Sequence, residues 1–414
     1  MIRSRLCILT VSAAVSAFAA PALAGSTDGP MYFHSQVQDA PGCTLAAAAD
    51  GSLSMPAAIS NPAATCPDAY GWQQFIEAVQ GHFWSRWAND ETLWPARPKA
   101  LCATAGQKDC CFVDAGATPT VGYRGADGRV EKPSKIGGPA EFCPYIPGEW
   151  GGDAITTYQG GKPGSGHNGT ILNVVDPARV ARQQEAELIY RNDAFVHYTA
   201  AKEFYSQAGL KKLFDSVAGE AANSIPHRPT GKGASYPSEV VMFKVDWIPE
   251  NVMIDLGYVS DHDNNPATPP QNAEYPYVTI EMDVSPDDGK TFRKGHYYLA
   301  ALTGASKALP NWHWYAFEHV ANKGRCDYTG CNDSYGYRST VTVPSPLDPK
   351  KTVTFASNFI PAAVKNDGLD DRTDIFDLGK AYASADMTRG LAAILAATGI
   401  GSGTEPTDPK LPRP

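Results

Sequence analysis

The chain has 414 residues, with 35 Lys+Arg against 44 Asp+Glu and a formal net charge of −9. This acidic, unclustered balance argues against nucleic acid and anionic membranes as partners, while the length allows one large domain or two with ample core. Gly at 38, Pro at 33 and charged residues at only 19% predict many loops rather than long surface helices.

Arg3 and Arg5 precede an apolar run from Leu6 to Ala20, and Pro21-Ala22-Leu23-Ala24 supplies a small-residue cleavage pattern. Residues 1–24 therefore read as a secretory signal peptide, since the run is shorter than the roughly 20 residues a span needs. No later segment is long and apolar enough to span a membrane. The expectation is a periplasmic or secreted protein whose partner is a small molecule or another periplasmic protein.

Of the 9 cysteines, Cys7 leaves with the signal peptide, and Cys43, Cys66, Cys102, Cys110, Cys111, Cys143, Cys326 and Cys331 remain. An even set in an exported chain predicts disulfides rather than a thiolate metal site, and no C-x-x-C pair is present. The adjacent Cys110 and Cys111 cannot bridge each other without strain, so each takes a separate partner among Cys43, Cys66, Cys102 and Cys143. Cys326 and Cys331 are spaced to close a small loop.

In chain order, residues 25–67 lack periodicity and read as an extended, disulfide-tethered arm. Residues 68–400 read as a single α+β domain, helical to about residue 225 and sheet-forming from about residue 236, before a flexible tail at 401–414. Trp72, Phe75, Ile76, Val79, Phe83 and Trp87 recur at helical spacing, which predicts a helix over Ala69 to Ala88. Residues 96–169 are Gly/Pro-rich and read as irregular, with Gly164 to Gly169 a turn cluster and Asn168 in a sequon pattern. Asp176-Pro177 opens a predicted helix through Val180, Ala186, Ile189 and Tyr190, broken or kinked at Arg191-Asn192. A second helix runs from Asp193 to Gly209 and a third over Leu210 to Ala222, with His197 and Glu203 at surface or groove positions.

Strands are predicted over Glu239 to Trp247, Tyr277 to Val284, His296 to Leu302, Trp312 to Val320 and Lys351 to Phe355, and a terminal helix over Ser384 to Leu395. Short polar turns between strands predict an antiparallel sheet packed against the helices of the first half. Asp261 to Asn265 has alternating oxygen ligands but lacks the turn glycine and distal glutamate of a calcium loop.

The densest stretch is Asn311 to Val320, with four aromatic rings, two imidazoles and a carboxylate. As a strand it puts Trp312, Trp314, Ala316 and Glu318 on one side and His313, Tyr315, Phe317 and His319 on the other, and two such faces imply burial on both. Glu318 beside His319 is the candidate acid–base pair, with Trp312, Trp314, His313 and His296 as candidate binding residues. The structural alternative pairs a buried Glu318 with Lys244 or Arg325. His313 and His319 lie about 20 Å apart along a strand and cannot share one ion, whereas one of them with His296 can be considered; the metal stays unknown.

Trp72-Gln-Gln-Phe75-Ile76, Tyr190-Arg-Asn192, the Glu239 to Trp247 strand and Trp312-His-Trp314-Tyr-Ala-Phe317-Glu318-His319 together resemble a family of exported bacterial proteins with a W-x-W-x-x-F-E-H signature, sometimes labelled cytochrome c family proteins. Some members carry a haem-attachment C-x-x-C-H; here Cys326-x-x-x-x-Cys331 is followed by Asn332, so covalent haem c is not expected and the cofactor stays unknown. The resemblance implies no catalytic residues. Two functions follow as expectations: an exported enzyme with an aromatic cleft and a Glu/His acid–base or metal-assisted centre, or a non-catalytic binding or assembly protein associated with electron-transfer components.

Overall fold

The longest strand organises the molecule. The computed structural model describes residues 39, 42–133, 138–151, 186–221, 234–260, 269–272, 276–284, 293–319, 321–322, 331–332, 339–344, 348, 350–357 and 359–360. Within them the chain forms β1 (Ala46–Ala47), β2 (Leu53–Ser54), α1 (Pro62–Thr65), α2 (Pro67–Gln80), α3 (Phe83–Arg86), α4 (Asp90–Leu93), β3 (Cys110–Val113), β4 (Val121–Arg124), β5 (Val130–Glu131) and a 3₁₀ turn (Pro147–Trp150). It continues with β6 (Ala186–Arg191), α5 (Asp193–Ala201), α6 (Gln207–Ala221), β7 (Val241–Pro249), α7 (Glu250–Asp255), β8 (Thr279–Val284), β9 (Arg293–Ser306) and β10 (His313–Glu318). The last elements are β11 (Cys331–Asn332), β12 (Ser339–Pro344), β13 (Thr352–Ser357) and β14 (Phe359–Ile360). The class is α+β with antiparallel sheets, as the sequence predicts.

The main sheet has the order β10-β9-β7-β6, and β8 also pairs with β9. One edge of β9 pairs with β7, while β8 and β10 lie end to end along the other, at Arg293–Tyr298 and Ala301–Ser306. Alternation sets the faces. Leu188 and Tyr190, Val241, Phe243, Val245 and Trp247, Leu302, and Tyr315 and Phe317 point one way, onto Phe75 of α2, Phe83 and Trp84 of α3, and Trp87 at the C-cap of α3. A register shift at Asp246/Trp247 leaves Ala300 as an extra residue in β9 and changes its phase. Tyr297 and Leu299 thereby join the α2 side, while Tyr298 and Ala300 turn to Val252 and Met253 of α7.

Several predicted elements need correction. The first helix stops at Gln80, because His82 adopts left-handed φ 50 and the chain restarts as α3. Ala186–Arg191 is a strand, not the end of a helix. Ala186, Leu188 and Tyr190 are buried at period 2, and Asn192 then caps α5 by accepting from Phe195 N–H at 3.2 Å. The same side chain donates to Glu239 O at 2.8 Å and accepts from Val241 N–H, fixing β6, α5 and β7 together. The stretch read as irregular contains the three-stranded β3-β4-β5 sheet, and the arm read as extended holds a two-stranded hairpin and a helical turn. Strands thus occur well before residue 236.

Three disulfides form among the described residues: Cys43–Cys66, Cys102–Cys110 and Cys111–Cys143. Cys110 and Cys111 do take separate partners. Cys326, Arg325, Asn168, Gly164 to Gly169, Asp261 to Asn265, the signal peptide, the Ser384 to Leu395 helix and the tail lie outside the described residues, and Cys331 is placed only by its backbone in β11. No helix among the described residues is long and apolar enough to cross a membrane.

Candidate functional site

The Trp312 to His319 stretch is an edge strand with unequal faces, not a doubly buried one. Trp312 precedes it at left-handed φ 66, with Lys307 Nζ 5.7 Å from its ring centroid and Tyr236 at 6.0 Å. Trp314 is 59% exposed, and Ala316 and Glu318 on its side of β10 are exposed too. The expectation of a desolvated Glu318 is therefore corrected: the turn at Trp312 removes one aromatic from the row, and the remaining row faces outward. Lys244, a candidate partner for a buried Glu318, is itself half-exposed and pairs with Glu187 at 2.6 Å.

The opposite face of β10 is filled by α2. Phe317 stacks on Phe75 with centroids 4.9 Å apart and meets Trp72 edge-on at 4.6 Å. Tyr315 donates to Gln74 Oε1 at 2.7 Å, Gln74 Nε2 donates to Tyr70 OH at 2.7 Å, and Tyr70 OH lies 3.2 Å from Ser306 Oγ. His313 is 8% exposed between Tyr70 and Tyr315, and burial lowers its pKa, favouring the neutral imidazole. Its Nδ1 has no hydrogen-bond partner among the described residues.

His319 joins the two strands that share one edge of β9. Its ring stacks on Tyr277 with centroids 3.5 Å apart, Nδ1 accepts from Ala321 N–H at 3.2 Å, and Nε2 lies 3.3 Å from Pro276 O. Both nitrogens are engaged by backbone, which fixes the neutral Nε2–H tautomer. His296 pairs through Nδ1 with Glu250 Oε2 at 2.7 Å. It sits four residues along β9 from Ala300, whose carbonyl accepts from His319 N–H, so about 13 Å of strand separates the two. The structure does not bring Glu318, His319, His313 and His296 to one point, and no group of three or more His, Cys, Asp or Glu placed to hold a metal occurs among the described residues.

The residues that do converge come from three other elements. Pro147 starts the 3₁₀ turn that presents Glu149, and Gly148 lets the turn approach α3, since a Cβ there would lie 3.2 Å from Arg86 O. Thr120 leads into β4. Asp193 and His197 stand one turn apart on α5, on the same face, with the Asn192 cap setting where that face begins.

Glu149 Oε2 accepts from Thr120 N–H at 2.9 Å and from Val121 N–H at 3.4 Å, while its Oε1 takes the Thr120 hydroxyl. His197 Nε2 lies 2.6 Å from Thr120 Oγ1 and 3.6 Å from Glu149 Oε1. Burial pushes Glu149 up, but the hydrogen bonds from His197, Thr120 and the Val121 amide outweigh it and hold the carboxyl below its ordinary value. The bond to Glu149 raises His197 against the opposing effect of burial, helped by the charges of Glu149 and Asp193. Burial, and then the Glu149 charge, raise Asp193. Both shifts favour the proton on the imidazole, and in that form Nε2–H donates to Thr120, whose hydroxyl donates in turn to Glu149. The His197 side chain is 41% exposed, so part of the imidazole is open to solvent.

A separate cavity of about 110 Å³ includes Gly122 and Trp150 in its lining, but none of Thr120, Glu149, Asp193 and His197 lines it. Tyr123, Phe142 and Tyr145 complete an aromatic lining, with Glu131, Lys132 and Glu141 also at its wall. Sequence reasoning passed over this centre because Thr120, Glu149 and His197 fit no motif spacing. The legible signal was the Asp193/His197 pair at i, i+4 behind an asparagine cap. No known protein-family model, no curated protein and no solved structure matches this chain.

Proposed function

We propose that the protein is an exported enzyme of general acid–base chemistry, a hydrolase that protonates its leaving group from His197. The observation that carries this reading is the Thr120 hydroxyl held between the His197 imidazole and the Glu149 carboxylate. Three disulfides are consistent with the oxidising compartment that the N-terminal pattern implies. A small molecule that reaches His197 from solvent is the substrate.

The proposed cycle needs only water. As the bond from the substrate's electrophilic carbon to the leaving oxygen breaks, that oxygen takes the proton from His197. Water adds to the carbon, and its surplus proton returns to the imidazole. Glu149 stays ionised throughout and favours the imidazolium form, and Thr120 fixes the ring's position. Such proton transfer contributes typically about 10²–10⁴-fold in rate.

The test is turnover of a panel of 4-nitrophenyl esters, phosphates and glycosides. The expected result is measurable hydrolysis of one class, lowered by about 100-fold or more in His197→Gln and in Glu149→Gln, and unchanged within about twofold in Glu318→Gln. No turnover of any class above the blank, or equal loss in all three variants, contradicts the assignment. So does retained turnover accompanied by a large fall in stability in the first two, which makes the cluster a tether between β4, the 3₁₀ turn and α5.

A further inference from the structure

The two nitrogens of His197 stand in different surroundings. Nε2 faces Thr120 Oγ1 and Glu149 Oε1, whereas Nδ1 makes no hydrogen bond among the described residues. A protonated imidazole carries a proton on each nitrogen. With Nε2–H held by Thr120, Nδ1–H is the proton that a molecule arriving from solvent takes.

A helical side chain leans toward the N-terminus of its helix and covers the turn before it. For His197 that turn begins at Asp193, and at this spacing the two Cβ atoms lie about 6 Å apart. Asp193 is exposed, and its carboxylate forms no ion pair with His197 or with any other group among the described residues. An unpaired acid and an unpaired carboxylate thus share one open face of α5.

Tertiary contacts hold Asp193 in that place. Ala88 and Arg191 exchange both backbone hydrogen bonds, at 3.1 and 2.8 Å, in an antiparallel bridge. Arg86 and Asp193 stand two residues out from this bridge at the same end of it, and a Cβ on Gly148 would lie 3.3 Å from Arg86 Cβ, which sets Arg86 beside the turn that bears Glu149. The charges that face Asp193 are therefore Glu149 from the 3₁₀ turn, His197 from its own helix and Arg86 from α3. Protein packed on the side away from solvent desolvates the carboxylate, and with the Glu149 charge this raises its pKa against the pull of His197 and Arg86. A raised carboxylate is a stronger base.

We infer that Asp193 is the catalytic base of this site, taking a proton from the attacking water while His197 Nδ1–H protonates the leaving oxygen. The inference rests on the proposed function for the identity of the acid. One O–H bond of water breaks as its oxygen bonds to the electrophilic carbon, and that proton goes to Asp193. The bond from carbon to the leaving oxygen breaks with its electron pair staying on oxygen, which takes the Nδ1 proton. Asp193 then returns its proton through solvent to Nδ1, and the cycle closes.

Leaving-group dependence separates the two roles, because a better leaving group needs less help from an acid but the same help from a base. The experiment compares 4-nitrophenyl and 2,4-dinitrophenyl substrates of the class the protein hydrolyses. Asp193→Asn, an exposed change that leaves the thermal midpoint within about 2 °C of the parent, is expected to lower kcat by about 100-fold on both. For His197→Gln the loss shrinks to below about tenfold on the dinitrophenyl substrate. Azide, a nucleophile that needs no base, restores about tenfold of the loss in Asp193→Ala and none in His197→Gln. Asp193→Asn within about threefold of the parent on both substrates overturns the inference and leaves the His197 assignment standing. A loss in Asp193→Asn that shrinks as that of His197→Gln does also overturns it, since Asp193 then acts through the imidazole. Full loss in Asp193→Asn with none in His197→Gln supports the base and refutes the acid, and absence of turnover in the parent overturns both.

Discussion

Gly304→Ala lowers the stability of the protein by about 3 kcal/mol, at the upper end of what overpacking costs. A Cβ built on Gly304 lies 2.1 Å from Tyr315 Cε2 and 2.3 Å from Tyr315 Cζ, far inside contact distance. The ring cannot step aside. Its hydroxyl is held by Gln74, a Cβ on Gly71 would stand 3.3 Å from its Cγ, and the His313, Phe243 and Phe317 rings close the remaining directions. Tyr315 therefore fills a slot made by one glycine of α2 and one of β9, and this slot is what lets α2 lie against the edge strand. Urea unfolding of Gly304→Ala, Tyr315→Leu and the double variant measures the effect. The double variant recovers part of the loss, because the smaller side chain vacates the space the methyl needs. A Gly304→Ala protein within about 0.5 kcal/mol of the parent contradicts this account of the sheet edge.

The second large effect is expected at the Cys111–Cys143 bridge. Its partners are 32 residues apart, and closing a loop of that length removes about 3–4 kcal/mol of entropy from the unfolded chain, against about 2.5 kcal/mol for Cys102–Cys110, whose partners are 8 apart. Both Cys111 and Cys143 are buried beside Phe195, Val196 and Ala200 of α5, so alanine at both positions also forfeits packing. The bridge ties β3 to the stretch that leads into the 3₁₀ turn bearing Glu149. Its loss thus loosens the acid–base centre, whereas loss of the shorter bridge does not. Thermal unfolding of the two double-alanine proteins is expected to rank Cys111/Cys143 as the more damaging pair, and the reverse order contradicts the assignment.

What the sequence makes legible follows from periodicity. Val241, Phe243, Val245 and Trp247 alternate without interruption, and that strand, part of its partner β9 and the α+β class are readable from the pattern alone. Ala186–Arg191 is misread because Asp176-Pro177 upstream looks like a helix start and the strand is only six residues long. The burial of the Trp312 to His319 stretch is misread for a different reason. Residue types show that aromatics are concentrated there, but not that β10 is an edge strand or that Trp312 leaves the strand at positive φ. His319 looks catalytic beside Glu318, yet it closes the junction where β8 and β10 meet on β9, an arrangement that depends on the extra residue at Ala300. Thr120, Glu149 and His197 lie on a hairpin, a 3₁₀ turn and a helix, and only tertiary packing brings them together.

The pH dependence of that centre has a definite sign. His197 is raised above its ordinary 6.5, so its contribution to stability is full below that value and is lost as pH rises through the raised one. Glu149 is lowered below its ordinary 4.5, so its contribution is full above that value and is lost as pH falls through the lowered one. Both are fully present between 4.5 and 6.5. The direct measurement is an NMR titration of the His197 ring protons in the parent and in Glu149→Gln. The account predicts a midpoint above 6.5 in the parent that moves down once the carboxylate is neutralised, because the bond to Glu149 is the main cause of the rise. A His197 midpoint at or below 6.5 in the parent, or one that does not move in Glu149→Gln, contradicts the claim that this imidazole stores the proton the site delivers.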